Sequence, residues 1–253
     1  MLFDYGHTLV DFHRTEEALL LAYQEIKGRI EAAGYLEMPE ILDLIERAVG
    51  DVERIVGASY EERRMEELDL VAIFREALQA VGFTLPQDVI EHVVAIDHSA
   101  FSNSLSVKPE TIAALERLAG EGYRMGLVSN VALLPHLMRA DLESLGLARF
   151  FDRTTFSSET GVRKPDPRIF QAVLVPMGVD PREAAFVGDR LLDDVAGAES
   201  LGMRAVQTLE FRQEEEDEVR PDAVIRSLPE LPAVLAGWRE AETEAVSDRP
   251  AGR

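Results

Sequence analysis

The chain has 253 residues, 46% of them hydrophobic, enough to bury a full core as one large domain or as a core with a smaller insert. A formal charge of −21 without a basic patch argues against binding to nucleic acid or an anionic membrane, because both repel an acidic surface. Cysteine is absent, so disulfides, thiolate catalysis and Cys-ligated metal centres are excluded, and any metal must sit on oxygen or imidazole.

No run of about 18 apolar residues occurs, and no basic segment followed by an apolar one opens the chain, so a cytoplasmic protein is expected. Met1-Leu2-Phe3 reads as a buried strand that delivers Asp4 to a polar, glycine-containing turn, Tyr5-Gly6-His7-Thr8. Asp4 either caps that turn or faces a ligand crevice beyond the strand. Three residues are few for a core strand, which suggests that the strand continues upstream of Met1.

From residue 11 to about residue 106 the apolar spacing is helical. Ala18 to Ala33, a stripe from Pro39 to Ile55, Leu70 to Val81 and Val89 to Phe101 give four helices without a strand between them. The charged run Tyr60 to Glu67 reads as a solvated face or linker, and His13, His92 and His98 lack the i, i+4 partners of a helical metal site. After Pro109 the pattern alternates. A helix over Glu110 to Glu121 leads to a strand within Tyr123 to Asn130, a helix over Leu133 to Leu145 and a strand over Thr154 to Ser157. Then come a helix over Pro167 to Met177, a strand over Ala184 to Asp189 and a helix over Asp194 to Leu201. Strands over Arg204 to Gln207 and Ala223 to Ile225 precede a helix over Pro229 to Trp238. This alternation predicts an α/β fold, a doubly wound parallel sheet with an inserted all-α unit. The expected division is a core of residues 1–11 and 108–239 and a helical insert of 12–107. The acidic run Glu214 to Glu218 reads as a solvated loop, and residues 240–253 as a disordered polar tail.

The strand ends carry Asp4, Ser129, Lys164 and the acidic group Asp189, Asp193 and Asp194. In a parallel sheet these positions share one crevice. A carboxylate, a hydroxyl, a lysine and further carboxylates suit phosphoryl transfer through an aspartyl-phosphate, with a divalent cation offsetting the charge between phosphate and carboxylates.

These stretches, in this order, resemble the haloacid dehalogenase superfamily of hydrolases, and the resemblance rests on Asp4-Tyr5-Gly6-His7-Thr8, Ser129-Asn130, Arg163-Lys164-Pro165-Asp166-Pro167 and Val187-Gly188-Asp189 with Asp194. It extends to about residue 236, and the helical insert looks like that superfamily's C1 cap. The resemblance implies Asp4 as nucleophile, and Ser129, Asn130 and Lys164 holding the transferring group. It also implies Mg²⁺ on Asp4, the Gly6 carbonyl and Asp189, with Asp194 behind them and Asp193 a bystander. A small phosphorylated metabolite is the implied substrate.

One position departs from that pattern. The superfamily's phosphatases carry a second aspartate two residues after the nucleophile, as proton donor and base, and this chain has Gly6 there. Such help is worth about 10² to 10⁴ in rate. His7 is the neighbouring side chain able to exchange protons near neutral pH. Three alternatives stay open: a 2-haloacid dehalogenase, which needs no metal; a phosphonatase, for which the insert offers only Lys27; and a degenerate member that binds a phosphorylated ligand without turnover.

Overall fold

The computed structural model describes residues 1–214 and 218–247. Among them, six parallel strands form one sheet in the order β3-β2-β1-β4-β5-β6. The strands are β1 Leu2–Phe3, β2 Gly126–Ser129, β3 Arg153–Phe156, β4 Ala185–Gly188, β5 Arg204–Thr208 and β6 Ala223–Ile225. β1 lies between β2 and β4, pairing Phe3 with Leu127 on one side and Val187 on the other, and Phe3 is fully buried. Strands covered on both faces read as unbroken apolar runs, as Phe186-Val187 and Leu127-Val128 do. The strand order reverses between β1 and β4, which opens a crevice at their carboxyl ends.

The helices that follow the strands are α6 Pro109–Gly120, α7 Pro135–Ser144, the single turn α8 Ser157–Thr160, α9 Pro167–Met177, the short α10 Gly197–Glu199 and α11 Leu231–Ser247. α6, α7 and α9 each start on proline, whose missing N–H costs nothing in a first turn. Strand limits differ slightly from expectation. β2 starts at Gly126 because Tyr123 still closes the end of α6 through its N–H to the Leu118 carbonyl, 3.0 Å away, and β3 stops at Phe156 because Ser157 opens α8. The helix expected from Asp194 begins earlier, as a π-helical turn over Leu191–Ala196 that runs into α10. α11 continues through Ser247, past Trp238, so residues 240–247 are helical where a disordered tail was expected; residues 248–253 lie outside the described residues.

Between β1 and α6 stand α1 Glu16–Ala32, α2 Ile41–Leu44, a π-helical turn Ile45–Val49 running into α3 Gly50–Glu61, α4 Leu70–Ala80 and α5 Gln87–Ser102. These match the four helical stretches read from the sequence. α1 packs along α5, and Tyr23, Ile26, Ile30, Val93 and Val94 lie buried in one apolar core. The chain leaves the sheet and returns to it side by side, with Asp11 and Ser106 exchanging backbone hydrogen bonds of 2.9 Å in both directions.

The run Tyr60 to Glu67 departs from its expected solvated role. Its far end docks on the core: the Glu67 N–H bonds the Gly161 carbonyl at 3.0 Å, the Arg163 N–H bonds the Met65 carbonyl at 2.7 Å, and the Glu67 side chain is buried against Arg163. Of the acidic run 214–218, residues 215–217 lie outside the described residues, and Glu214 accepts the Leu191 N–H at 2.6 Å. Among the described residues no helix is long and apolar enough to cross a membrane.

Candidate active site

Asp4 is the first residue beyond β1, and its own N–H bonds the Val187 carbonyl at 2.9 Å, so the central strand pairing fixes where its carboxylate stands. Lys164 reaches it from the loop before α9, with Nζ 2.6 Å from Asp4 Oδ1 and 2.7 Å from Asp194 Oδ1. All three side chains are buried. The sequence reading gave Asn130 to the transferring group, but the structure uses it differently. Its Nδ2 donates to the Lys164 carbonyl at 3.0 Å and its Oδ1 accepts the Lys164 N–H at 2.7 Å, so this side chain holds the lysine main chain in place. Ser129, at the end of β2, is buried with its face on the cavity.

Asp189 follows β4, and the residue before it explains the local sequence. A Cβ on Gly188 would collide with the Asp194 carboxylate, so only glycine lets Asp194 fold back beneath the strand end. There Asp194 Oδ2 accepts the Arg190 N–H at 2.9 Å and fixes the start of the π-helical turn. Asp4, Asp189 and Asp194 each bring an oxygen within 4.8 Å of the others. Asp193 stays outside this group, paired with Arg190 at 2.8 Å.

Charge is unbalanced here. Burial, with the neighbouring Asp4 and Asp194 charges, pushes the Asp189 carboxyl up to about 8. Burial also raises Asp4 to about 6, against the pull of Lys164. For Lys164 burial works the other way, but Asp194 and Asp4 outweigh it and hold the ammonium above its usual range. Among the described residues, buried Lys164 and the partly exposed Arg212 thus face three buried carboxylates. Arg212 Nε lies 3.1 Å from Asp189 Oδ2, out of line for a hydrogen bond, and that buried oxygen has no hydrogen-bond partner among the described residues. An orphaned, buried carboxylate oxygen within a hard oxygen cluster fits a divalent cation.

Gly6 and His7 complete this wall. Gly6 does not adopt left-handed backbone angles; the strained residue is His7, at φ 56°. At position 6 a Cβ would stand 2.9 Å from Phe12 Cε1, so any side chain there requires the Phe12 ring to shift. The Phe12 ring stacks on His7 at 4.7 Å between centroids. Burial, then the nearby Arg212 charge, lowers the His7 pKa.

Asp4, Gly6, His7, Ser129, Asn130, Lys164 and Asp189 all line one cavity of about 510 Å³ between sheet and helical insert. Asp194 lies behind them. Sequence reasoning missed Arg212, which follows β5, although its place just past a strand end was a usable signal. It set His98 aside as a helix residue, read Tyr60 into a solvated run and did not mark Asp141, and all three line the cavity.

A family model described as haloacid dehalogenase-like hydrolase matches residues 1–202. A phosphoserine phosphatase of Thermus thermophilus is 36% identical over 159 residues, a match covering 63% of this chain and 62% of that enzyme, so the chain spans less than two thirds of that relative's length. A glyceraldehyde 3-phosphate phosphatase of Methanocaldococcus jannaschii is 26% identical over 95% of this chain and 98% of its own. Among solved structures, a 2-haloacid dehalogenase from Pseudomonas syringae superposes with a TM-score of 0.65 at 27% identity, covering 94% of this chain and 97% of that one.

Proposed function

This chain belongs to the haloacid dehalogenase-like hydrolase family, and we propose that it is a Mg²⁺-dependent phosphatase of small phosphorylated metabolites, working in the cytoplasm through Asp4. The observation that carries this reading is the orphaned Asp189 oxygen within the buried trio of Asp4, Asp189 and Asp194. The phosphatases among its relatives point the same way.

In this reading Asp4 and Asp189, with the Gly6 carbonyl, hold the cation, which offsets charge between the phosphate and the carboxylates. An Asp4 carboxylate oxygen attacks phosphorus, and the bond from phosphorus to the ester oxygen breaks with its electron pair going to the alcohol. Lys164 and the Ser129 hydroxyl hold the phosphoryl oxygens, and Asn130 keeps the lysine main chain in register. In this reading His7, which lines the same wall, enters protonated, gives its proton to the oxygen of the departing alcohol and, then neutral, takes one from the attacking water. Water then cleaves the acyl phosphate, releasing orthophosphate and restoring Asp4.

The likeness to a 2-haloacid dehalogenase favours a second reading, attack by Asp4 on a carbon bearing halide. A panel of phosphate esters and 2-haloacids, assayed with Mg²⁺ and with chelator, separates the two. Phosphate release that chelator abolishes supports the phosphatase, and halide release that survives chelation overturns it. Calorimetric binding of the esters without release of phosphate would mark a binding protein instead.

A further inference from the structure

Beyond the phosphate end, the cavity has a second pole. Tyr5, next to Asp4 in the chain, lines it with a buried hydroxyl that has no hydrogen-bond partner among the described residues. A buried, unpaired hydroxyl costs free energy unless a ligand satisfies it. Asp97 and His98 from α5 and Asp141 from α7 line the same cavity, with His98 Nε2 2.7 Å from Asp141 Oδ2 and the Tyr23 hydroxyl donating to Asp97 at 3.2 Å. Apolar side chains, Phe12, Phe101, Leu105 and Met138 among them, line the same cavity.

The sign of this pole follows from its members. Asp97 and Asp141 are the acidic members, although burial pushes the Asp97 carboxyl up toward its neutral form; the nearby Arg14 is paired with Glu53, and His98 with Asp141. With both carboxylates ionised the wall is net negative even beside a protonated His98, whereas Lys164, Arg190 and Arg212 stand at the phosphate end. A carboxylate brought against this wall meets like charge, which costs several-fold to many-fold in affinity. A hydroxyl can accept from Tyr5 and donate to a carboxylate, and an ammonium can donate to both.

We propose that the Tyr5, Asp97, His98 and Asp141 wall selects the alcohol part of the substrate as a compact group bearing a hydroxyl or an amine and no carboxylate. This rests on the phosphatase reading of the same cavity. Two matched pairs test it: glycerol phosphate against phosphoglycerate, and phosphoethanolamine against phosphoglycolate. Each pair exchanges a hydroxyl or amine for a carboxylate on a similar skeleton. The expected result is a kcat/KM at least about tenfold higher for the carboxylate-free member of at least one pair, since like-charge contact is strongly unfavourable. Which pair discriminates tells hydroxyl from amine. The double variant Asp97→Asn with Asp141→Asn should bring that ratio to within about threefold of unity, because it removes the repulsion. Parity or a carboxylate preference in the unmodified protein overturns the inference, as does a ratio unmoved in the double variant. If no ester is hydrolysed, the phosphatase reading fails by itself; the affinities of the same four esters, measured calorimetrically, then decide the inference on the same criterion.

Discussion

Arg163 and Lys164 are adjacent, both cationic and both buried, yet they end in opposite situations. Arg163 is saturated: Nε and Nη2 meet Glu67 Oε1 at 2.8 and 2.5 Å, Nη1 donates to the Ser59 hydroxyl at 2.9 Å, and Tyr60 stacks beneath its guanidinium at 4.2 Å. Ser157 donates to the other Glu67 oxygen. Glu67, Ser59 and Tyr60 belong to the helical insert, so this residue ties insert to core. Lys164 instead faces more negative charge than it can neutralise, and beside it an Asp189 oxygen is left, among the described residues, without a hydrogen bond. Saturation marks a joint, and deficit marks a place where a ligand is owed.

If that contrast is right, the two neighbours fail in different assays. Lys164→Ala and Asp189→Asn should each lower phosphatase kcat by at least about 10³, because each removes a charge that faces the transferring group, while the fold persists. Asp189→Asn should also weaken Mg²⁺ binding by at least about tenfold in a calorimetric titration, since hard cations need charged oxygen. A variant that keeps full activity would dissolve the contrast.

Arg163→Met should act mainly on stability. Breaking a buried pair by removing one partner leaves an uncompensated charge, here Glu67, at a cost of about 3 to 5 kcal/mol. In a protein of this size that lowers Tm by about 10 °C or more. The paired change Arg163→Met with Glu67→Leu should recover at least half of that loss, because no charge is then stranded. Calorimetric melting of the three proteins checks both statements.

A smaller effect follows from Asp189. Its folded pKa, about 8, lies above the unfolded value of about 3.8, so the folded state holds the proton more tightly. This contribution to stability is fully present below about pH 4 and is lost as pH rises toward 8. Metal-free protein should therefore lose several degrees of Tm between about pH 5 and pH 8, beyond the loss seen for Asp189→Asn, and saturating Mg²⁺ should remove the difference. Equal slopes for both proteins in chelator would show that the site is not charge-deficient.

How much of this was legible in the sequence depends on range. The sheet and the helical insert were readable because apolar period is a local signal, and Asp4, Ser129, Lys164 and Asp189 because parallel strands bring their carboxyl ends together by topology. The bonding of the Asn130 side chain to the Lys164 main chain was not legible, since it depends on two loops meeting. Glu67 read as solvent-facing because nothing near it in sequence announces Arg163, 96 residues on. Tyr5 and Asp141 were invisible for the same reason. An unpaired hydroxyl is a property of a packed interior, and His98 meets Asp141 only when α5 folds over α7.

The smallest expected effect concerns the missing acid at position 6, where the contrast between satisfied and unsatisfied groups takes a steric form. A Cβ at Gly6 would stand 2.9 Å from Phe12 Cε1, and that ring is held by His7 on one face and by the edge of Phe101, 6.4 Å between centroids. Gly6→Asp must therefore displace Phe12 before its carboxyl can reach a leaving group, and overpacking of this kind costs about 1 to 3 kcal/mol. The single variant should gain less than about threefold in kcat, far below what a well-placed acid supplies. Phe12→Leu with Gly6→Asp frees the space, and this double variant should exceed the single one by about tenfold. His7→Ala in the unmodified background should lower kcat by about tenfold or more if His7 carries the proton, and much less once the introduced carboxyl has taken over in the double variant. A large gain from Gly6→Asp alone would show that Phe12 moves freely, and an undiminished rate in His7→Ala would remove His7 from proton transfer.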